Sequence, residues 1–153
     1  MQLLMQKQKG WLIWMNDMEV LVDTNIILDW MLEREPFMQN AKRIIELCIL
    51  GKIKGHLTSH TLLNVFYIAR KRWSVEERKE ILLMLCEKFN IIGVNRSLIV
   101  ASLQNNDWDD LEDGLQMQSA SAENLGYIIT RDLKDFKASK VQALSPKEFL
   151  EKI

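Results

Sequence analysis

The residues most able to do chemistry in this sequence are carboxylates placed at the ends of apolar runs. In MEVLVDTNIILDW, a run that reads as a buried strand stops at Asp23; Thr24 and Asn25 follow, and the apolar pattern resumes at Ile26, Ile27 and Leu28. Asp132 stands just past YIIT in a similar manner, with Arg131 between. Between them, NNDWDDLEDGLQMQSASAENLG gathers Asp107, Asp109, Asp110, Glu112 and Asp113 around the start of a helix. Acids there complement the helix dipole, and most of such a run is ordinarily solvated surface. Asp110 and Asp113 are three residues apart and can share one face of the first turn. An Asp between strand and helix serves equally well as an N-cap, and Asp132 as a turn residue. If Asp23, Asp113 and Asp132 converge, their like charges raise one another's pKa unless a divalent cation compensates them. Oxygen-only ligands suit Mg2+ or Mn2+. Cys48, Cys86, His56 and His60 are too scattered for zinc, and the plainer reading of both histidines is structural or surface.

Several elements must position those acids. Short apolar or alternating runs at EVLV, GHLT, IIGV, YIIT and VQAL read as strands. Helical patterns lie between them, at about 26–33, 39–50, 59–73, 75–89, 97–105 and 111–125. Ser74 with Glu77, and Ser145 with Pro146 and Glu148, have the spacing of capping boxes. Pro36 separates the first two helices, and Gly51 and Gly126 stand where a helix should stop before a strand. Strands alternating with helices predict a mostly parallel sheet of about five strands covered on both faces. In such sheets ligands gather outside the carboxyl ends of the strands, where Asp23 and Asp132 would both lie.

With 153 residues, 48% hydrophobic and 27% charged, the chain has the size of one domain with one closed core. A net charge of −1 gives no bulk attraction to nucleic acid or to an anionic membrane, so a polyanion must be held by a local patch or through metal ions. Both cysteines sit inside apolar helical runs and read as small buried thiols, consistent with a reducing cytoplasm. The opening MQLLMQKQKGWLIWMND is too short in its apolar part for a signal peptide, and no stretch has the length of a membrane span. Residues 1–17 are expected to be a leader outside the domain, which then runs over 18–153.

The segments DTNIILD, TSHTLLNVFYIARK, DDLEDGLQMQSA and YIITRDLKDF resemble, in order and spacing, those of PIN-domain proteins, and in particular a bacterial branch near the VapC toxins. The likeness runs from about Met18 to the C-terminus. It implies a three-layer α/β/α fold on a parallel sheet whose clustered acids bind Mg2+ or Mn2+ and hydrolyse RNA phosphodiesters. Asp23 matches the first-strand acid, Asp113 the acid opening the later helix, and Asp132 the acid after the fourth strand. Asp110 matches an accessory acid one turn earlier. The resemblance further implies an RNA substrate, a homodimer, and an antitoxin partner whose docking would use apolar surface near Trp30, Met31, Phe66 and Tyr67, although plain core packing is the favoured account of most of these side chains. Arg70, Lys71, Arg72, Arg131, Lys134 and Lys137 are candidates to line an RNA path.

One departure stands out. Many PIN nucleases carry a glutamate on the helix after the second strand, and here the position is Asn64, with no acid between Gly55 and Ser74 to replace it. An amide brings an oxygen but no charge. Asparagine beside the NVFY aromatics resembles this branch, so the expected activity is a metal-dependent endoribonuclease. The alternative is a PIN-shaped RNA-binding or partner-binding module with a weak or inactive site. A haloacid-dehalogenase-type phosphotransferase needs a second Asp two residues after the first, where Asn25 stands.

Overall fold

The computed structural model describes residues 17–153. All but the last residue of the expected leader therefore lies outside the described residues. Five strands, β1 (Glu19–Val22), β2 (Lys54–Thr58), β3 (Asn90–Ile92), β4 (Tyr127–Ile129) and β5 (Gln142–Leu144), form one sheet in the order β3-β2-β1-β4-β5. Every pairing is parallel, with Leu21 opposite His56 on one side and Ile128 on the other. Seven α-helices occur among the described residues: α1 (Thr24–Met31), α2 (Met38–Ile49), α3 (Ser59–Ile68), α4 (Val75–Lys88), α5 (Arg96–Gln104), α6 (Leu111–Ala122) and α7 (Pro146–Lys152).

The sheet is buried on both faces because its strands are apolar on both. Val20 and Val22 of β1 pack into a core with Ile26, Ile44, Leu57, Leu85 and Phe149, while Leu21 faces a second core with Met117, Ala120, Ile128 and Phe136. This alternation along one strand places α1–α4 and α7 on one side and α6 on the other, which is the three-layer α/β/α arrangement expected from the sequence. Both expected capping boxes form, at Ser74/Glu77 and Ser145/Glu148.

Three local readings change. The long helix expected over 59–73 ends at Ile68 and tightens into a 3₁₀ turn at Ala69–Lys71. Gly51 does take the left-handed conformation after α2 (φ 67°), but after α6 that role falls to Asn124 (φ 51°) rather than Gly126, because asparagine tolerates the region well enough to end the helix first. Cys48 is buried as expected, and burial pushes its thiol up, but Cys86 lies on the exposed face of α4.

The sheet order fixes where chemistry can occur. The chain builds outward from β1 through β2 to β3, then crosses to the other side of β1 for β4 and β5. The ends of β1 and β4 are therefore neighbours at the point where the order reverses, which is where open parallel sheets leave a crevice.

Candidate active site

Asp23 stands at that point of the sheet. Its N–H continues the ladder by donating to Ile129 O at 3.0 Å, so β4 directly fixes where the residue leaves the sheet. The side chain is 4% exposed. Its Oδ1 accepts from Thr24 N (2.8 Å) and Gln116 Nε2 (3.3 Å), and its Oδ2 accepts from Thr130 Oγ1 (2.9 Å). Asp23 is thus the N-cap of α1 and also much more, since two of its three donors come from the residue after β4 and from α6. Burial pushes its pKa up to about 6; the donated hydrogen bonds oppose that rise, and the charge of Asp132 adds to it.

Asp132 is placed by the same network. Its N–H donates to Thr130 Oγ1 (3.1 Å), and its Oδ2 accepts from Asn25 Nδ2 (2.7 Å). Thr130 therefore joins both strand-end acids, and Asn25 ties the second back to α1. Asp113 lies in the first turn of α6. Its pKa is pushed up to about 7, by burial first and then by the charges of Asp110, Asp23, Asp135 and Glu112. No neighbour acting on it lowers it. Asp110 is exposed and caps α6, its Oδ1 accepting from Asp113 N at 2.9 Å. Asn64, on α3, is turned toward α6, where its Nδ2 donates to both carboxylate oxygens of Glu112 at 3.0 and 3.2 Å.

Asp23, Asp113 and Asp132 are thus brought to one edge, close enough for Asp23 to feel Asp132 and for Asp113 to feel Asp23. Among the described residues, however, no three His, Cys, Asp or Glu side chains stand as a group ready to hold a metal ion. The donor chemistry nevertheless suits a hard cation. The set is all oxygen, no Lys or Arg figures among the groups acting on Asp23 or Asp113, and Gln116 Oε1 is buried beside Asp23 with no hydrogen-bond partner.

The PIN domain family profile matches residues 19–134. The chain belongs to the PIN-domain family. No curated protein matched. Solved structures similar to this PIN domain include a chain of a toxin-antitoxin complex from Klebsiella pneumoniae (24% identity, 83% of this chain and 97% of that one, TM-score 0.64). A chain of VapBC2 from Rickettsia felis bound to a DNA fragment from their promoter aligns at 18% identity over 84% and 98% of the two chains, with a TM-score of 0.62. Mycobacterium tuberculosis VapC20, described as a sarcin-ricin loop cleaving toxin, aligns at 12% identity over 71% and 86%, with a TM-score of 0.57.

Three polar residues of the PIN domain's site carry no obvious signal in the sequence. Gln116 is 1% exposed, and its Nε2 reaches Asp23, Thr24 Oγ1 (3.4 Å) and Thr61 Oγ1 (3.1 Å). Thr61 is fully buried and bonds Thr24 Oγ1 at 2.8 Å, so the first turns of α1 and α3 and the second turn of α6 meet in one floor beneath Asp23. Glu112 reads as one more surface acid, yet it meets both Asn64 and His60, whose Nε2 lies 3.6 Å from its Oε2. A polar position every third or fourth residue of a helix looks solvated until its partner helix is known.

The acidic turn is braced from behind by Trp108, whose Nε1 donates to Ser102 O at 3.2 Å and whose indole lies against Gly114 around Nε1. A Cβ at Gly114 would stand 2.6 Å from the indole Cε2. We expect Gly114→Ala to cost about 1–3 kcal/mol despite alanine's better helix propensity, because the indole must leave its place and Asp113 shifts with it. Denaturant melts of the variant check this, and an unchanged midpoint contradicts it.

Proposed function

We propose that this PIN domain hydrolyses RNA phosphodiester bonds with Mg2+ or Mn2+ held by Asp23, Asp113 and Asp132, as the toxin of a toxin-antitoxin pair acting in the cytoplasm. The observation that supports the reading is the Thr130 clamp: one hydroxyl donates to Asp23 Oδ2 and accepts from Asp132 N, tying the chain at Asp132 to the Asp23 carboxylate, while the charge of Asp23 acts on Asp113. The similar structures described as toxin complexes, and as a toxin cleaving the sarcin-ricin loop, support the same direction.

A bound divalent ion supplies an acidified water and charge to offset that developing on the phosphate. The chain's own residues do the positioning. Asp23 is held in place because Thr24 N, Gln116 and Thr130 all donate to its carboxylate. Asn25 holds Asp132 against rotation. Gln116 Oε1 offers an acceptor for a water proton at the floor. Of the expected RNA-lining cations, Arg70 stacks on Tyr67, Arg72 pairs with Glu33 at 2.7 Å, and Arg131 is committed to Asp29. Exposed Lys134 and Lys137, just beyond Asp132, are better placed to meet phosphates.

Apolar surface is exposed at two places, although Met31, expected there, is buried. Leu63 and Tyr67 lie 72% and 61% exposed on the outer face of α3, and Trp30, Trp73, Ile81 and Met84 line a groove of about 390 Å3. We assign these to a second copy and to an antitoxin segment. Among the described residues no helix is long and apolar enough to cross a membrane.

A second reading, a catalytically inactive RNA-binding or partner-binding PIN module, is favoured by Asn64 and by the absence of a ready three-acid group. Purified protein incubated with a structured RNA separates the two. The nuclease reading expects cleavage with Mn2+, none with excess EDTA, and none from Asp23→Asn. Equal cleavage by that variant contradicts the assignment, and binding without cleavage in Mn2+ favours the module.

A further inference from the structure

The second face of the sheet is only partly covered. α6 lies over β1 and β4, and α5 packs on α6, so the face of β2 and β3 is left as the floor of a cleft of about 500 Å3. His56 and Asn90 are partners in the β2–β3 register and so stand side by side on that floor, with Ile92 two residues further along the same face. The end of α6, at Ala122 and Glu123, and the first turn of α5, at Ser97 and Leu98, form its walls. We propose that this cleft binds a small organic cation, an amine with a short apolar body, whose charged head is held by Glu123, His56 and Asn90. The cleft uses none of Asp23, Asp113 and Asp132, so the inference stands apart from the nuclease reading.

Two independent observations point to a ligand, and the lining as a whole sets its charge. His56 is 7% exposed, and its Nε2 is buried with no hydrogen-bond partner among the described residues, which folded chains seldom leave so. Glu123 caps the C-terminal end of α6, where the helix dipole is negative and a base is the favourable residue; the last turn has none. No Lys or Arg lines the cleft, and Lys54, the base that acts on His56, is paired with Glu19 at 3.7 Å. Glu19 and Glu123 act on His56 as well, yet burial outweighs them and holds the imidazole below its usual pKa, so the ring is neutral at pH 7. A carboxylate, a neutral ring, an amide and the carbonyls of a helix end form a set rich in acceptors and without a cation. Such a set suits a donor that carries positive charge and repels an anion. Beyond this polar end, Ile92 and Leu98 belong to the second core and offer apolar surface to the body of the ligand.

The test is an NMR titration of the full chain, labelled at the histidine rings, with n-butylammonium, n-butanol and butyrate at constant pH and ionic strength. His56 and His60 are the chain's only histidines, so His60→Gln assigns the signal. The amine is expected to shift the His56 ring saturably with a Kd of about 1–10 mM, butanol to bind at least about fivefold more weakly, and butyrate to give no saturable shift. Glu123 is exposed, and Glu123→Gln keeps the backbone cap of α6. That variant is expected to weaken the amine about five- to tenfold and to leave butanol unchanged, because only the charged head uses the carboxylate. Equal affinity for the amine and for butanol or butyrate overturns the proposal, as does an amine affinity unchanged in Glu123→Gln. So does the absence of any saturable His56 shift up to about 50 mM amine. The titration needs neither RNA nor metal, so failure of the nuclease reading leaves its outcome untouched.

Discussion

Asp23→Asn is expected to lower RNA cleavage about a thousandfold while making the cation-free protein more stable at neutral pH. The rate falls because the best-fixed carboxylate of the site no longer carries charge, a loss of several kcal/mol of charge stabilisation. Stability moves the other way. The Asp23 pKa lies near 6 rather than at the ordinary 3.8, so its stability contribution is present below about pH 4 and is lost as pH rises through about 6. At pH 7.5 the buried charge therefore costs wild type on the order of 2–3 kcal/mol, which asparagine removes. The substitution keeps the local bonds: Oδ1 still accepts from Thr24 N and Gln116, and Nδ2 can donate to Thr130 Oγ1. Thermal melts in EDTA should show the variant roughly 5–10 °C above wild type at pH 7.5, with the gap closing toward pH 4. Added Mn2+ should raise wild type and not the variant. A variant less stable than wild type at pH 7.5 would mean that the fold favours the charged form of Asp23, against its raised pKa, since asparagine caps a helix as well as aspartate does.

Arg131→Ala is expected to cost about 3–5 kcal/mol, the largest stability loss of any single side chain near the site. Its partner Asp29, on α1, is completely buried, with Arg131 Nε 2.9 Å from Oδ2 and Arg34 Nη1 3.8 Å from Oδ1. Burial raises the Asp29 pKa, and the two arginines hold it down against that rise. Removing Arg131 leaves a nearly unpaired charge in the interior, which is far more damaging than removing both partners. Arg131 also lies over the Phe37 ring, 4.2 Å from its centroid, so packing is lost along with charge. Because Asp132 is the next residue, cleavage should fall too. The double variant Asp29→Leu with Arg131→Met should recover much of the stability, and denaturant titrations of the three proteins check the pattern. If Arg131→Ala melts within 1 kcal/mol of wild type, the pair is a peripheral contact.

How far the site could be read from the sequence follows from which interactions are local. Asp23 and Asp132 were legible because each stands at or just beyond the end of an apolar strand, and a parallel sheet sends both strand ends to one edge. Ser74 and Ser145 were legible because a capping box is complete within four residues. Glu112, Gln116 and Thr61 were not. Each is a polar residue on an amphipathic helix, and only the packing of α3 and α6 over the end of β1 turns those faces inward. Asp29 was hidden for the same reason, its partner Arg131 coming from the far side of the chain. Asn64 showed plainly as an amide, but its hydrogen-bond partner Glu112 belongs to another helix and needs the fold to be seen. The order β3-β2-β1-β4-β5 likewise depends on long-range pairing that strand patterns do not encode.

The most direct test of the central claim is crystallographic: crystals of the full chain equilibrated with Mn2+, measured at a wavelength where manganese scatters anomalously. The account predicts a peak in the crevice about 2.1 Å from oxygens of Asp23 and Asp113, with Asp132 facing it directly or through water. No peak at that edge at millimolar Mn2+, with the three acids turned to separate partners, would contradict it.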